Sequence, residues 1–167
     1  MEELNTKTSA EAAVAAAAVA NAEDSVQYIV IRLGDEQYGI DINYIDNIVR
    51  VPNMTRVPKV QPYILGVINL RGEVVPVMSI RIRMGLEATE ITKATRIIIL
   101  KMEQYGTIGV IVDEVKEVVT LTPDKIEKAT YGNANENFIS GIGKCDSGEN
   151  SLISLLDLNA VFGETVF

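Results

Sequence analysis

Histidine and tryptophan are missing from this chain, cysteine occurs once, and aromatic side chains make up only 5% of its 167 residues. Without histidine, the commonest general base and the commonest metal ligand are gone. Any catalysis would fall to carboxylates, lysine, tyrosine or the single thiol. None of these forms a recognisable constellation. Cys145 closes an apolar run with no histidine to activate it and reads as a structural thiol. One cysteine also rules out an intrachain disulfide and suits a reducing compartment.

Positive charge is scarce too. Fifteen Lys and Arg stand against 23 Asp and Glu, a formal charge of −8, which repels nucleic-acid phosphates and anionic membrane surfaces. Few aromatics leave little for stacking on bases. A small-barrel nucleic-acid or ligand-binding protein is therefore the weaker alternative to a protein that binds other proteins. Apolar runs such as Ile97 to Leu100 fall far short of the roughly 20 residues needed to span a bilayer. Met1 to Glu11 carries Glu2, Glu3 and Glu11 against Lys7, unlike the cationic start of a secretory signal. The expectation is a cytoplasmic protein with no direct membrane insertion. No cofactor or metal site is expected, because the glycines fall singly at turns and no EF-hand-like spacing occurs.

What is present is a series of short β-branched runs. Residues 1–25 form an alanine-rich flexible tail, with Ala10 to Ala22 almost entirely Ala and Val. From residue 26 the pattern changes. Ten strands are expected: Gln27 to Leu33, Gln37 to Ile42, Ile48 to Val51, Gly66 to Leu70, Glu73 to Ser79, Arg96 to Met102, Thr107 to Val112, Val115 to Thr120, Ile139 to Cys145 and Ser151 to Leu156. The first is joined to the second by Gly34-Asp35-Glu36 as a hairpin. Alternation of Ile29, Ile31 and Leu33 with Tyr28, Val30 and Arg32 suits a sheet with one buried face, and the short turns suit curled antiparallel barrels. Helix is expected only at Ile42 to Asn47 and where Asp157 caps Leu158 to Phe162 before Gly163.

A faint repeat runs through the folded part. Gly39, Ile40, Ile42, Ile48 and Val49 recur 70 residues later as Gly109, Val110, Val112, Val118 and Val119. Ile64-Leu65-Gly66-Val67 is likewise similar to Ile139-Ser140-Gly141-Ile142. The expected organisation is therefore two intertwined subdomains, roughly 26–90 and 91–163, within one domain over 26–167. The charges Asp113, Glu114 and Glu117 read as solvated groups on a strand and turn. Arg71, in the Asn69-Leu70-Arg71-Gly72 turn between two apolar strands, is either a water-exposed turn residue or a positioned cation that pairs with an acidic group.

Taken together, these segments resemble the CheW family and the homologous regulatory domain of the CheA kinase. The resemblance rests on Gly34 to Ile42, Arg56-Val57-Pro58, Ile64 to Gly72 with Val75-Pro76-Val77, Thr95 to Leu100, Gly109 to Val115, Ile139 to Gly143 and Leu155 to Leu158. It implies an all-β fold of two five-stranded SH3-like barrels packed together with short accessory helices, and no catalytic site. It also implies an adaptor that joins chemoreceptor cytoplasmic tips to the CheA histidine kinase regulatory domain, a groove between the subdomains taking the receptor's helical hairpin. Position by position it points to Ile45 as a groove residue, and to Arg71, Gly109 and Val115 as coupling positions. Family members often have Glu where this chain has Asn47, so the usual ion pair with the turn arginine is not available here.

Removing residues 1–24 is expected to leave the melting temperature nearly unchanged, since the segment has no alternating apolar face to bury. A differential scanning calorimetry trace that drops by many degrees would show the tail to be docked.

Overall fold

The structure, a computed structural model, describes residues 25–88, 90–128, 138–145 and 152–163; the alanine-rich stretch and Ser151 lie outside them. Eleven strands are described: β1 (Val26–Leu33), β2 (Glu36–Asp41), β3 (Ile45–Arg50), β4 (Ile64–Leu70), β5 (Glu73–Ser79), β6 (Arg96–Met102), β7 (Gly106–Val112), β8 (Glu114–Leu121), β9 (Ile126–Lys128), β10 (Ile139–Lys144) and β11 (Leu152–Leu156). Two short helices, α1 (Ile80–Arg83) and α2 (Leu158–Phe162), follow β5 and β11. Each is capped by the side chain of the residue before it, Ser79 Oγ accepting from the Ile82 amide and Asp157 Oδ1 from that of Ala160.

The strands make a six-stranded sheet, β8-β1-β2-β11-β10-β9, and a five-stranded sheet, β3-β6-β7-β5-β4. Short β9 is the strand beyond the expected ten. The sheets do not follow a division near residue 90: β1 and β2 join the later strands, while β6 and β7 join the earlier ones. The 70-residue repeat explains why. Hairpin β1–β2 takes β8 as its outer neighbour, and the matching hairpin β6–β7 takes β3. Each half of the chain thus completes the other half's sheet. The second hairpins correspond as well, β11 lying parallel to β2 and β5 parallel to β7.

Burial follows from this exchange. Ile29 and Ile31 on β1, with Ile98 and Leu100 on β6, face a central core shared by both sheets. The alternate residues are buried as well: Val30 packs with Leu121, Ile153 and Leu155, and Ile97 and Ile99 pack with Ile68, Val75 and Val77. The middle of β1 and most of β6 are therefore apolar on both faces, as strands covered on two sides require.

Ile42 to Asn47 is not helical throughout. A single 3-10 turn, Ile42–Tyr44, is nucleated where Asp41 Oδ1 accepts from the Asn43 amide at 2.9 Å, and β3 begins at once with Ile45. Ile45, Ile48 and Val49 are β-branched, and β3 finds a partner edge along β6, so sheet pairing wins over helix.

At the other crossover the chain has no loop at all. β7 ends at Val112 in one sheet and β8 starts at Glu114 in the other, so Asp113 alone spans the change. Its Oδ2 accepts from Arg81 Nη1 at 2.9 Å and from the Gly34 amide at 2.8 Å, with Arg32 Nη1 3.8 Å away. Arg32 Nε also donates to Glu114 at 2.9 Å, and that hydrogen bond holds the Glu114 carboxyl below its ordinary pKa. The expected solvated charge is thus a largely buried junction, because its partners on β1, the β1–β2 turn and α1 converge on it from 32 to 81 residues away. Arg83 ties the helices together: it donates to the Val161 carbonyl at 2.8 Å and lies about 5 Å from the rings of Tyr63 and Phe138.

Asp113→Ala is expected to destabilise the fold by about 2–3 kcal/mol, since it leaves Arg81 and the Gly34 amide without their acceptor. Asp113→Asn should lose less. Chemical denaturation of the three proteins checks both the size and the order.

Candidate protein-docking site

The β4–β5 hairpin closes through two residues, because Leu70 pairs with Glu73. Both loop residues lie in the left-handed region, Arg71 at φ 54° and Gly72 at φ 82°. This is the type I′ geometry that matches strand twist, and it normally recruits Asn or Gly at the first position. Asn69 Oδ1 steadies it by accepting from the Gly72 amide at 3.1 Å. An arginine held there costs about 1 kcal/mol in backbone strain. Arg71 is nevertheless exposed and makes no hydrogen bond or ion pair among the described residues. Val74, across the hairpin from Asn69, is 67% exposed.

Ile45 and Val115 stand 70 residues apart and occupy equivalent places at the starts of β3 and β8. Ile45 pairs with Leu100 and Val115 with Ile31, and both are half-buried at the margin of the shared core. Each is followed by a bulge whose extra residue is charged, Asp46 in β3 and Lys116 in β8. Asp46 lies 3.6 Å from Lys101. Such bulges and charges protect the outer edges of β3 and β8 from stray pairing.

Asn47 turns its Oδ1 onto the Ile48 amide at 2.8 Å and makes no hydrogen bond with Arg71. Their strands, β3 and β4, are opposite edges of the five-stranded sheet. Gly109 is buried inside β7, between β6 and β5. A Cβ there would come within 2.8 Å of Ile97 Cγ2, so hydrogen is what the packing allows. The structure therefore brings Ile45 and Val115 to one core, leaves Arg71 at a hairpin tip, and buries Gly109.

Charge adds a further feature. From Asn47 to Gly72 there is no Asp or Glu, yet Arg50, Arg56, Lys59 and Arg71 are all present. All four are exposed, and none makes an ion pair among the described residues. With +4 in this segment, the rest of the chain carries −8 − 4 = −12. Composition alone conceals this polarity, although a running count of charge along the sequence reveals it.

Apolar margins at paired strand starts, an exposed arginine on a strained turn and a cationic segment in an otherwise acidic chain are features of a scaffold built from two barrels that exchange strands. The model of the CheW-like domain matches residues 27–166, and the chain belongs to that family of chemotaxis scaffolds. It is 41% identical to the chemotaxis protein CheW of Bacillus subtilis over 133 residues, covering 80% of this chain and 84% of that protein. The chemotaxis protein CheW of Helicobacter pylori is 36% identical, with 73% and 74% covered. Among solved structures, the scaffolding protein TtCheW from Thermoanaerobacter tengcongensis superposes with a TM-score of 0.77 at 30% identity, covering 85% of this chain and 97% of that one.

Because Arg71 strains its turn, Arg71→Asn is expected to stabilise the protein by about 0.5–1 kcal/mol, Asn being at ease in the left-handed region. A thermal melt that shows no gain would mean the turn relaxes around arginine without strain.

Proposed function

We propose that this protein is a non-enzymatic adaptor that couples the cytoplasmic tip of chemoreceptors to the regulatory domain of the CheA histidine kinase. The observation that carries this reading is the family match over residues 27–166 together with an arginine kept on a strained, exposed turn without a partner among the described residues. A cation that opposes its own backbone and pairs with none of the described residues suits a carboxylate on a partner. Arg71 would supply a planar, permanently charged fork to that acidic group. Ile45 and Val115 would form the apolar lining against which the receptor's helical hairpin packs, with Asn47 at its rim. Gly109 would act indirectly, by letting β5, β6 and β7 approach closely enough to hold that surface in shape. Net charge −8 and few aromatics oppose a nucleic-acid ligand.

A pull-down with an immobilised receptor tip fragment and the kinase regulatory domain, separately and together, tests the coupling. Retention by both, and a ternary complex when they are combined, is expected; retention by neither would sink it. Arg71→Ala should weaken complex formation by about 10- to 100-fold without loss of thermal stability, as removal of a desolvated charged contact costs about 1–3 kcal/mol. Unchanged binding would remove Arg71 from the interface.

A further inference from the structure

Ser79 and Thr95 are the buried polar side chains among the described residues, 5% and 7% exposed. Both line one niche of about 120 Å³ where β5 runs into α1. Arg81 and Asp113 stand on its polar side, and Leu65 and Ile111 are apolar walls. Glu90 and Ile91 also line it and are exposed, so the niche opens to the surface.

Thr95 is accounted for within the fold. Its Oγ1 accepts from the Thr92 amide at 2.8 Å and lies 3.4 Å from Thr92 Oγ1. Ser79 is not. Its Oγ accepts from the Ile82 amide at 3.2 Å, but its own proton has no acceptor among the described residues, a state that native folds leave to few buried hydroxyls. Asp113 spends Oδ2 on Arg81 and the Gly34 amide, and its Oδ1 has no donor among the described residues. Capping α1 does not by itself require a serine. The Ser79 amide donates to the Tyr63 carbonyl at 2.7 Å as that of Asp157 does to Phe138 at 2.8 Å, so the two positions match in the repeat, and there an aspartate caps α2. Asn159 correspondingly stands where Arg81 does.

We propose that this niche binds a small neutral molecule that carries one hydroxyl on a ring-sized apolar body, a phenol or a cyclic alcohol. A hydroxyl both accepts and donates, so it answers the Ser79 proton and the Asp113 Oδ1 together. Size sets the body, since a cavity of roughly 150 Å³ holds one benzene ring. Charge selects a neutral ligand: Arg81 and Asp113 cancel one another across 2.9 Å, and Glu90 at the mouth repels an anion. Water would serve the polar side, but it gives the walls at Leu65 and Ile111 little of the dispersion contact that a ring supplies. The inference does not rest on the adaptor reading.

The test uses the full chain, ¹³C-labelled at the isoleucine δ1 methyls, and titrates it with phenol, with cyclohexanol and with toluene as the hydroxyl-free match. Saturable shifts at Ile91 and Ile111 are expected with phenol and cyclohexanol. Toluene, although more apolar, should bind about fivefold more weakly, as the loss of an ordinary hydrogen bond implies. Ser79→Ala should bring phenol and toluene to within about twofold of each other, and unchanged methyl signals from Ile29 and Ile98 in the central core check that it folds. No saturable shift at Ile91 and Ile111 would show that solvent alone fills the niche. Equal binding of toluene to the unaltered chain, or an undiminished preference for phenol in a folded Ser79→Ala, would take the hydroxyl out of the site. Each of these three results overturns the proposal.

Discussion

The architecture turns on one residue, Asp113, at which the chain leaves one sheet and enters the other without a loop. A crossing this short fixes β8 rigidly against β7, and the fold tolerates it because the carboxylate is met by Arg81, Arg32 and the Gly34 amide at once. Those three partners belong to α1, β1 and the β1–β2 turn, so both sheets are tied together by one acceptor. The amide of Asp113 adds a fourth tie by donating to the Arg32 carbonyl at 3.1 Å. In a low-dielectric junction such an arrangement holds only when every member is satisfied. The passage of β8 into the other sheet runs through it, and the central core depends on that passage together with the matching one at Ile42–Tyr44. Neither half of the chain could bury Ile29 and Ile31, or Ile98 and Leu100, by itself.

Much of this was legible in the sequence, for identifiable reasons. Most strands could be read from β-branched alternation because strand period and turn chemistry are local properties. The type of the β4–β5 turn lay within reach as well, since two loop residues ending in Gly between apolar strands select type I′. Local reasoning failed where partners are distant. Val30 looks like the solvent side of a half-buried strand until β11 and β8 enclose it from the other half of the chain. Asp113 looks solvated until Arg81 and Arg32 arrive, whereas Glu114 stays exposed even with Arg32 beside it. A division near residue 90 is natural for a tandem repeat, but nothing in a repeat says which strands cross from one copy to the other.

The same distinction governs the candidate site. The resemblance to a known family singled out Ile45, Asn47, Arg71, Gly109 and Val115, but it could not say what holds each of them. In the structure Asn47 satisfies the amide of its own neighbour, a bulge device that needs no arginine. Arg71, at the tip of a hairpin on the opposite side of the sheet, is exposed and makes no hydrogen bond among the described residues. The cationic run from Arg50 to Arg71 is a second exposed feature, one that the net charge of the chain conceals.

A chain that contains its own duplicate offers an internal control on such assignments. Positions that agree between the halves are those the architecture demands. Gly39 and Gly109 both lie where a Cβ would fall within 3 Å of a core side chain, and Gly66 and Gly141 both back onto a carbonyl of the adjacent segment. Ile45 and Val115 share this character, each an apolar strand start at the edge of the common core, so their fatty surface has a structural reason before it has a functional one. Positions that differ are those the shared frame leaves open. Arg71 caps a two-residue turn, whereas β10 and β11 are joined by seven residues, Cys145 to Ser151. Arg81 is replaced by Asn159, and Ile111 by Asp41. The two barrels thus share a frame and differ at its rims, and Arg71, exposed on a left-handed turn, is among the positions where they differ.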